Sequence, residues 1–476
     1  AFASGTNLVV DTAGAVMSRR GSLALGSAGG DTVTGLMFYK WANSYLLRAS
    51  DGVLEAWDNA TWTTISGWTP SVSSAASMAQ MTGNVYATDG AGVYKWNGNT
   101  ASSFAGLGGS SPAACNRLCV HDGRLIACGL GGSNRDKVSV SGILDDATWS
   151  NVTVGGGYGD GIKAIHSWQR YYLACFRENS IHLLSTYTPP GGTPVTDWST
   201  EVVSTTVGCI APNTVAQVGN DVFFLSRDGV RTLAQSANSD KVGVSIPLSE
   251  PVKDVINRIN WAYVGAASAA FHNNLYILSL PLDSSTTPNY CLVFSTLTQS
   301  WFGLWSGWAA TCFARSDFSG TPRLNFGRTD GYVWQYLDWK ADSSVSDDDY
   351  TDNGADYATA ITTRGYAFGD VASPKTGYNY ELEFFGSSAE VTASVNLDQS
   401  SDQTNTTTRT SNGALLIPFL LPQLLPANGT YRVARDLCQY GPFRSVQFLI
   451  SSTADKMALR SVAASGFWDS IEDERN

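Results

Sequence analysis

The sequence predicts an all-β protein, a β-propeller followed by a smaller antiparallel β-sandwich-like domain. Lys and Glu, both good helix formers, contribute only 9 residues each to a chain of 476. The 15 Trp, 20 Tyr and 19 Phe suit pleated surfaces, and 47 Gly supply tight turns. Such a length is sufficient for two or three domains, each with its own core.

A repeated turn signal is the basis for predicting a propeller. An Asp-Gly pair followed by a short apolar strand recurs with successive gaps of 38, 33, 38, 68 and 102 residues. These gaps are close to multiples of about 34, and a period of 20 to 50 residues is typical of propellers and solenoids. Asp-Gly is also the commonest hairpin turn in any β protein. We expect degenerate blades, the small radial sheets of a propeller, of about 35–45 residues. The pairs begin at Asp51, Asp89, Asp122, Asp160, Asp228 and Asp330.

Three hairpins are predicted between these turns. The clearest joins Asp221–Leu225 to Val230–Leu233 through a turn that ends at Gly229. The other two pair Tyr171–Phe176 with Ser180–Leu184, and Leu275–Leu280 with Tyr290–Phe294.

One short helix is predicted near 250–260. Ser249 is the expected N-cap, and Pro251 lies in the first turn. Apolar residues follow at helical spacing, so we expect this helix to pack on the outside of the propeller. They are Val252, Val255, Ile256 and Ile259.

A composition break after Trp339 sets the predicted domain boundary. We assign 1–340 to the propeller, 341–357 to an acidic linker and 358–476 to the sandwich-like domain, in which 400–412 is a polar loop prone to disorder. The strand-like segments are Ala358–Tyr366, Tyr378–Phe385, Ala389–Leu397 and Val446–Ile450.

Charge and hydropathy exclude several function classes. A net charge of −11 argues against a grip on nucleic acid, which needs clustered Lys and Arg. No membrane span is expected, because the most apolar stretch, Leu415–Leu425, is broken by Pro418 and Pro422. Only 15% of residues are charged, which suits a surface partly covered by other subunits. The eight cysteines are predicted to be mostly reduced core residues.

Two motifs contain the residue types of a metal or phosphate site but lack the spacing or the following helix that such a site needs. Cys115, Cys119, His121 and Cys128 offer four soft metal ligands, but the spacing matches no usual zinc motif, so we expect core residues. The glycine-rich segment Gly155–Gly161 runs into a strand-like stretch rather than a helix, so a turn between blades is favoured over a phosphate-binding loop.

The acidic residues and histidines do not form a catalytic arrangement in the sequence. Asp145, Asp146, Asp160 and Asp228 are conceivable glycosidase acids, yet turn formation explains each one. Asp347, Asp348 and Asp349 lack the spacing of a calcium loop and are assigned to a solvated linker. No nucleophile motif lies beside His121, His166, His182 or His272. We therefore predict no catalytic, cofactor-binding or metal-binding residues, no cofactor and no enzyme activity.

Several phrases of the sequence resemble the tail nozzle proteins of short-tailed bacteriophages, also known as packaged-DNA stabilisation or tail tubular protein B-like proteins. Asn7–Asp11, Gly14 and Arg19-Arg20-Gly21 are similar to that family's opening phrase. The resemblance continues through Gly208–Pro212, Val215, Gly219–Val230, Asn325–Gly327, Asp330–Trp334, Thr362–Arg364, Phe368, Gly369 and Lys375.

The resemblance implies a structural virion protein that is made in the bacterial cytoplasm. Such a chain forms a ring, hexameric in that family, around a channel through which genomic DNA passes without sequence-specific binding. It retains packaged DNA and docks a portal or adaptor protein and tail fibres or spikes. An acidic channel wall would let DNA slide without sticking. Two alternatives remain open: a glycan- or receptor-binding propeller of a tail tip, and a propeller glycoside hydrolase.

Overall fold

The structure is a computed structural model. It describes residues 2–10, 14–188, 190–236, 246–318, 320–340, 347–367, 375–385, 390–398, 400–410, 430–436, 443–454 and 456–468. Phe368, Gly369, Leu415–Leu425 and Cys438, singled out in the sequence, lie outside these residues.

The described chain is built almost entirely of β-strands, as the sequence predicts. In its first half these are β1 Phe2–Thr6, β2 Leu8–Val10, β3 Val16–Ser18, β4 Ser22–Ala24, β5 Val33–Lys40, β6 Ser44–Ser50, β7 Val53–Trp57, β8 Trp62–Ile65, β9 Ser77–Met81, β10 Asn84–Thr88, β11 Tyr94–Trp96, β12 Ala105–Gly106, β13 Arg117–His121, β14 Arg124–Cys128, β15 Lys137–Gly142, β16 Asp145–Thr153, β17 Ala164–Trp168, β18 Tyr172–Phe176, β19 Ile181–Ser185 and β20 Ser199–Ser204. In its second half they are β21 Ala216–Val218, β22 Asp221–Ser226, β23 Gly229–Thr232, β24 Ser268–His272, β25 Leu275–Leu280, β26 Tyr290–Ser295, β27 Ser300–Ser306, β28 Cys312–Ser316, β29 Arg323–Gly327, β30 Val333–Tyr336, β31 Thr359–Thr363, β32 Lys375–Phe385, β33 Glu390–Leu397, β34 Ser400–Thr410, β35 Thr430–Asp436, β36 Val446–Ser452 and β37 Ala458–Trp468.

These strands fall into two compact units. The larger comprises 24–301 and 308–339, and the smaller comprises 1–23, 302–307 and 340–476. The predicted boundaries at 340 and 358 place residues 1–23 in the larger unit, but β1, β2 and β3 pair with strands of the smaller unit. Because β1 pairs with β31 and β3 with β37, each hundreds of positions away, no local sequence signal shows this arrangement.

The larger unit contains seven small antiparallel sheets of consecutive strands. Four of them are complete four-stranded meanders: β5–β8, β9–β12, β13–β16 and β17–β20. They are followed by β21–β23, by β24–β26 with the first residues of β27, and by β28–β30. Each predicted hairpin is present: β22 pairs with β23, β18 with β19 and β25 with β26.

The first strands of successive sheets lie against one another. β5 contacts β9, β9 contacts β13, β13 contacts β17, β21 contacts β24, and β24 contacts β28. β28 in turn contacts β5, so the last sheet of the unit meets the first. Between the sheets of β17 and β21, Phe176 and Phe224 share one core, with ring centroids 5.1 Å apart.

Apolar residues on both faces of these sheets are buried. Every residue of β14 and of β25 is buried, so these strands have no solvent-facing side. Each of the four complete meanders contributes to two hydrophobic cores, one with each neighbour. This arrangement explains why second strands such as Leu275–Leu280 are continuously apolar rather than alternating.

Residues 25–33 fasten the last sheet to the first. The Leu25 amide donates to the Val333 carbonyl at 2.8 Å, and the Leu25 carbonyl accepts from the Trp62 indole at 2.8 Å. The fully buried Arg48 pairs with Glu55 at 2.7 Å and also donates to the Ser27 carbonyl at 2.7 Å. The fourth strand of the β28–β30 sheet is β4, which ends at Ala24, so residues 25–33 lead from that sheet into β5.

The repeat is longer and less regular than the Asp-Gly spacing indicates. Asp51, Asp89, Asp228 and Asp330 all lie between the second and third strands of a sheet. Asp122, in contrast, lies in the turn between the first and second strands of a sheet, and Asp160 lies between two sheets. The seven first strands begin at 33, 77, 117, 164, 216, 268 and 312, which makes the true repeat 40 to 52 residues.

The predicted helix is a 3-10 turn at Glu250–Val252 followed by an α-helix at Lys253–Asn257. Ile256 and Ile259 are buried, as the apolar spacing predicts. Ser249 occupies the predicted N-cap position, but its side chain makes no capping hydrogen bond. Its hydroxyl instead accepts the Val230 amide at 3.0 Å.

The smaller unit contains two antiparallel layers that share one core. One has the strand order β1-β31-β36-β33-β34, and the other β2-β3-β37-β32-β35. Burial alternates along β31 and β36, as expected for sheets covered on one face. Inward side chains such as Leu8, Ile361, Leu382 and Phe448 form the core.

Two segments of the smaller unit differ from the sequence prediction. The predicted polar loop at 400–412 is a strand over Ser400–Thr410 that pairs with β33; threonine is β-branched and suits a strand, and an edge position tolerates polar residues. The predicted solvated linker contains Asp349, Tyr350 and Tyr357, all of which are buried.

Substitution of Gly303 tests the packing of β27 on β1. Its φ is +95°, and an added Cβ would lie 2.1 Å from the Gly5 carbonyl oxygen. Gly354 has a similar φ of +83° with no heavy atom within 4 Å of that position. We expect Gly354→Ala to cost about 1–2 kcal/mol for the left-handed backbone alone. Gly303→Ala should cost clearly more, measured by thermal unfolding; equal losses would contradict the close contact.

Candidate functional site

A cavity lies where the first strands of the larger unit converge. Its volume is about 170 Å³, and it is bordered by Arg117, whose side chain also lines a second cavity of about 310 Å³. One water molecule occupies about 30 Å³ in the liquid, so the second cavity has space for about ten water molecules. Five first strands contribute to the smaller cavity, through Thr34–Leu36, 76–78, Arg117, 268–269 and 312–313.

These cavities are too small to hold a nucleic-acid duplex, whose major groove alone is about 12 Å wide. The larger one is lined by Arg117 and Lys163 and by a single carboxylate, that of Asp89. Asp89 has a structural role, since its carboxylate oxygens accept hydrogen bonds from the amides of Ser71 at 2.7 Å and Ala91 at 3.3 Å. Neither of these two cavities therefore offers a DNA channel or a pair of free acids.

The neighbouring acids Asp145 and Asp146 act as turn and ion-pair residues. Asp145 accepts the Ala147 amide at 2.9 Å and the Thr148 hydroxyl at 2.6 Å, bonds that lower its pKa. Asp146 pairs with Lys95 at 2.6 Å; burial opposes ionisation, but the bonds from Lys95 and Tyr86 lower its pKa overall. A glycosidase general acid needs a raised pKa instead.

Asp160 and Asp228 also have structural partners. Asp160 accepts the amides of Glu178 and Asn179 at 3.0 and 3.2 Å, which fixes the loop between β16 and β17. Asp228 pairs with Arg231, and this contact lowers its pKa against the effect of burial. The glycine-rich segment 155–161 contains Asp160 and leads into β17, so it is a connection between two sheets, as predicted.

The cysteines and His121 do not form a metal site. Both ring nitrogens of His121 are engaged, Nδ1 with the Ser167 hydroxyl at 2.8 Å and Nε2 with the Thr186 hydroxyl at 2.9 Å. Within the described ranges, no three His, Cys, Asp or Glu side chains are grouped to hold a metal ion. The seven described cysteines are free thiols, and five of them are buried. Burial raises the pKa of Cys115 to about 11 and that of Cys119 to about 12.

Thiol titration checks these environments. We expect the seven described thiols of a Cys438→Ala variant to react with Ellman's reagent at pH 8 about a hundredfold more slowly in the native protein than in denaturant. The reason is that the raised pKa and burial withhold the reactive thiolate. Rapid reaction of several thiols, or uptake of one zinc ion per chain, would contradict the assignment.

The other histidines also have separate surroundings. His182 Nε2 lies 3.2 Å from the Ser180 hydroxyl, and His272 Nε2 lies 3.1 Å from Asp338. Burial lowers the pKa of His166, although its hydrogen bond with Gln217 acts in the opposite direction and raises that pKa. The four histidines therefore lie on four strands of three sheets, with His166 and His182 in the same sheet, and each has its own contacts.

The sequence analysis missed a buried polar network around Arg19 in the smaller unit. The fully buried Arg19 forms a two-pronged pair with Asp352, at 3.0 and 2.6 Å. Its Nε donates to Asn7 at 3.1 Å, and its guanidinium stacks on the Tyr357 ring at 3.9 Å. Asn7 also bonds the Ser306 hydroxyl at 2.9 Å. The network thus joins the three chain segments that make up the smaller unit.

The Arg19-Arg20-Gly21 phrase is the only sequence signal that points to this network. Gly21 is required there, because an added Cβ would lie 2.0 Å from the Thr351 carbonyl oxygen. Asp349, assigned to a solvated linker, is instead buried and paired with Lys340. An acidic run looks solvated in a sequence, and its buried partners become visible only in the fold.

Substitution of Asp352 tests the network. Asp352→Asn leaves the Arg19 charge buried without a carboxylate, so we expect a loss of about 3–5 kcal/mol in unfolding free energy. Asp317→Asn removes the partner of Lys40 in an exposed ion pair and should leave stability unchanged. The comparison is made by denaturant unfolding, and equal effects of the two substitutions would contradict a central role for Arg19.

The comparisons give the chain no family: neither the protein-family models nor the curated proteins contain a match to it. In the described part of the chain, no helix is long and apolar enough to cross a membrane.

Proposed function

We propose that the chain is a structural assembly subunit, a propeller-bearing component of the tail nozzle of a short-tailed bacteriophage. Seven consecutive sheets, contacts between the first strands of most neighbouring sheets, the shared core of the sheets of β17 and β21, and the contact of β28 with β5 support a seven-bladed propeller. The smaller unit, with two layers around one core, is in this proposal the sandwich-like domain.

The observation that carries the assembly role is an exposed apolar pair at the tip of the β15–β16 hairpin. Ile143 and Leu144 are 59% and 63% exposed. Leu144 also has a φ of +52°, which a bulky residue rarely adopts and which Asn or Gly would adopt at lower cost. Neither burial nor turn geometry explains leucine here, whereas contact with another subunit does.

The tail nozzle assignment rests on the resemblance of the Arg19-Arg20-Gly21 phrase and of the blade around Asp221 to that family. In this proposal the copies form a hexameric ring, and DNA passes between them rather than through any one propeller, whose cavities are too small. The net charge of −11 suits a channel wall that repels phosphate. A portal or adaptor and tail fibres would dock on the ring.

A hydrolase function has no support from the four candidate acids. The contacts of Asp145, Asp146 and Asp228 lower their pKa values, and Asp160 holds a loop between sheets.

Light scattering with negative-stain imaging tests the assembly role. We expect the purified chain to form a ring with a central hole, alone or on a portal-like partner. In an Ile143→Ser, Leu144→Asn variant, the folded chain should be at least as stable, because Asn accepts the left-handed backbone, but the assembled fraction should fall at least about tenfold as apolar contact is lost.

Thr82→Asn is the matched control. Thr82 has a φ of +56° at another exposed hairpin tip, so the substitution relieves the same backbone strain without removing a large apolar side chain. It should leave assembly unchanged. A stable monomer that assembles with no partner, or a double variant that assembles like the wild type, would contradict the proposal.

A further inference from the structure

A cleft of about 610 Å³ lies on the larger unit, between the sheet of β13–β16 and the segment that leads into β20. Its volume is in the range of small-molecule sites, which is about 300–1,000 Å³. The floor includes Arg124, and one wall includes Trp198. No residue of this cleft takes part in the proposed assembly contact.

Arg124 is a buried charge that forms no ion pair, although the Asp122 carboxylate acts on it from a longer distance. Its exposed fraction is 8%, and its one hydrogen bond is donated by Nη1 to the Ser141 carbonyl at 2.7 Å. Among the described residues no carboxylate lies within ion-pair distance of it, in contrast to buried Arg48, which pairs with Glu55. Burial of an unpaired guanidinium is costly, and arginine cannot be deprotonated to avoid that cost. A carboxylate on a ligand would complete the pair with two parallel hydrogen bonds.

Trp198 provides a second unpaired group beside Arg124. The Arg124 guanidinium lies 5.9 Å from the Trp198 ring centroid, and the indole Nε1 is sealed from solvent without a protein acceptor. The flat face of an indole ring is apolar, which makes it a common surface for the apolar face of a sugar. The two residues thus offer a charge and a stacking surface in one place.

The rim of the cleft supplies neutral polar groups. The side chains of Ser150, Asn151 and Thr153, on the edge strand β16, are exposed and make no hydrogen bond to other described protein groups. Hydroxyl and amide groups both donate and accept, which matches the hydroxyl groups of a sugar ring.

The opposite wall has a strained backbone. Val195 lies on this wall with a φ of +70°, a conformation that a β-branched residue rarely adopts. Strain of this kind persists where the surrounding structure fixes it, and it concentrates at ligand sites. The wall is therefore held in place rather than free to collapse into the cleft.

We propose that this cleft binds an acidic saccharide, with the ligand carboxylate on Arg124, a sugar ring against Trp198 and sugar hydroxyls on Ser150, Asn151 and Thr153. The site is independent of ring assembly, so it provides the tail subunit with a means to contact an acidic surface polysaccharide.

Calorimetric titration of the full chain with a hyaluronan tetrasaccharide, which carries glucuronate, tests the proposal. We expect saturable binding at least about tenfold tighter than that of chitotetraose, a neutral saccharide of the same length, because a charge-assisted pair adds this much. Equal binding of the two saccharides, or no binding of either, would overturn the proposal. Binding of sodium acetate as tight as that of the tetrasaccharide would overturn the saccharide class.

Variants locate the site. Arg124→Gln should abolish the preference for the acidic saccharide, whereas Arg170→Gln, at an exposed arginine outside the cleft, should preserve it. If Arg124→Gln does not fold, the exposed pair Asn151→Ala and Thr153→Ala decides: a loss of about tenfold supports the site, and unchanged affinity overturns it. Ring assembly, followed by light scattering on the same samples, is expected to be the same in all these variants, so failure of this proposal is distinguishable from failure of the assembly proposal.

Discussion

The larger unit depends on one constraint: each of its small sheets is apolar on both faces, and both faces must be covered. A single four-stranded sheet with buried strands such as β14 and β25 would expose two hydrophobic surfaces to water. Each sheet can satisfy this requirement only by packing between two others. A row of such sheets would still leave two faces open at its ends, and the contact between β28 and β5 removes both.

The constraint also explains what the sequence could predict. Hairpins such as β22–β23 were predictable because the turn and both strands are contiguous, and the helix at Lys253–Asn257 because its apolar spacing is local. The repeat length was not, since Asp122 and Asp160 occupy different turns from Asp51 and Asp330. An identical dipeptide in two kinds of turn makes the apparent period shorter than the true one.

Long-range polar contacts were beyond the reach of sequence reasoning. Arg19 and Asp352 are 333 positions apart, yet they form the buried pair that joins the segments of the smaller unit. The acidic run that contains Asp349 looked solvated because the chain has few lysines to pair with it. Lys340, its partner in the structure, is one of them. Structural roles for the four acids were foreseen, since each lies in or directly beside a turn or loop. The cleft of Arg124 and Trp198 was not, because Arg124 lies on β14 and Trp198 in the segment before β20, without a shared motif.

The interior of the protein serves stability, and its surface serves contacts. The interior of the larger unit depends on residues 25–33, which close the run of sheets, because the amides of Leu25, Gly29 and Val33 donate to carbonyls of residues 328–333 at 2.8 to 3.0 Å. Hydrogen exchange measured residue by residue tests this claim. The account predicts that these three amides are protected as strongly as those of Leu275–Leu280 in β25, since both would open only when the whole unit unfolds. Exchange at the rate of an exposed loop would contradict the closure.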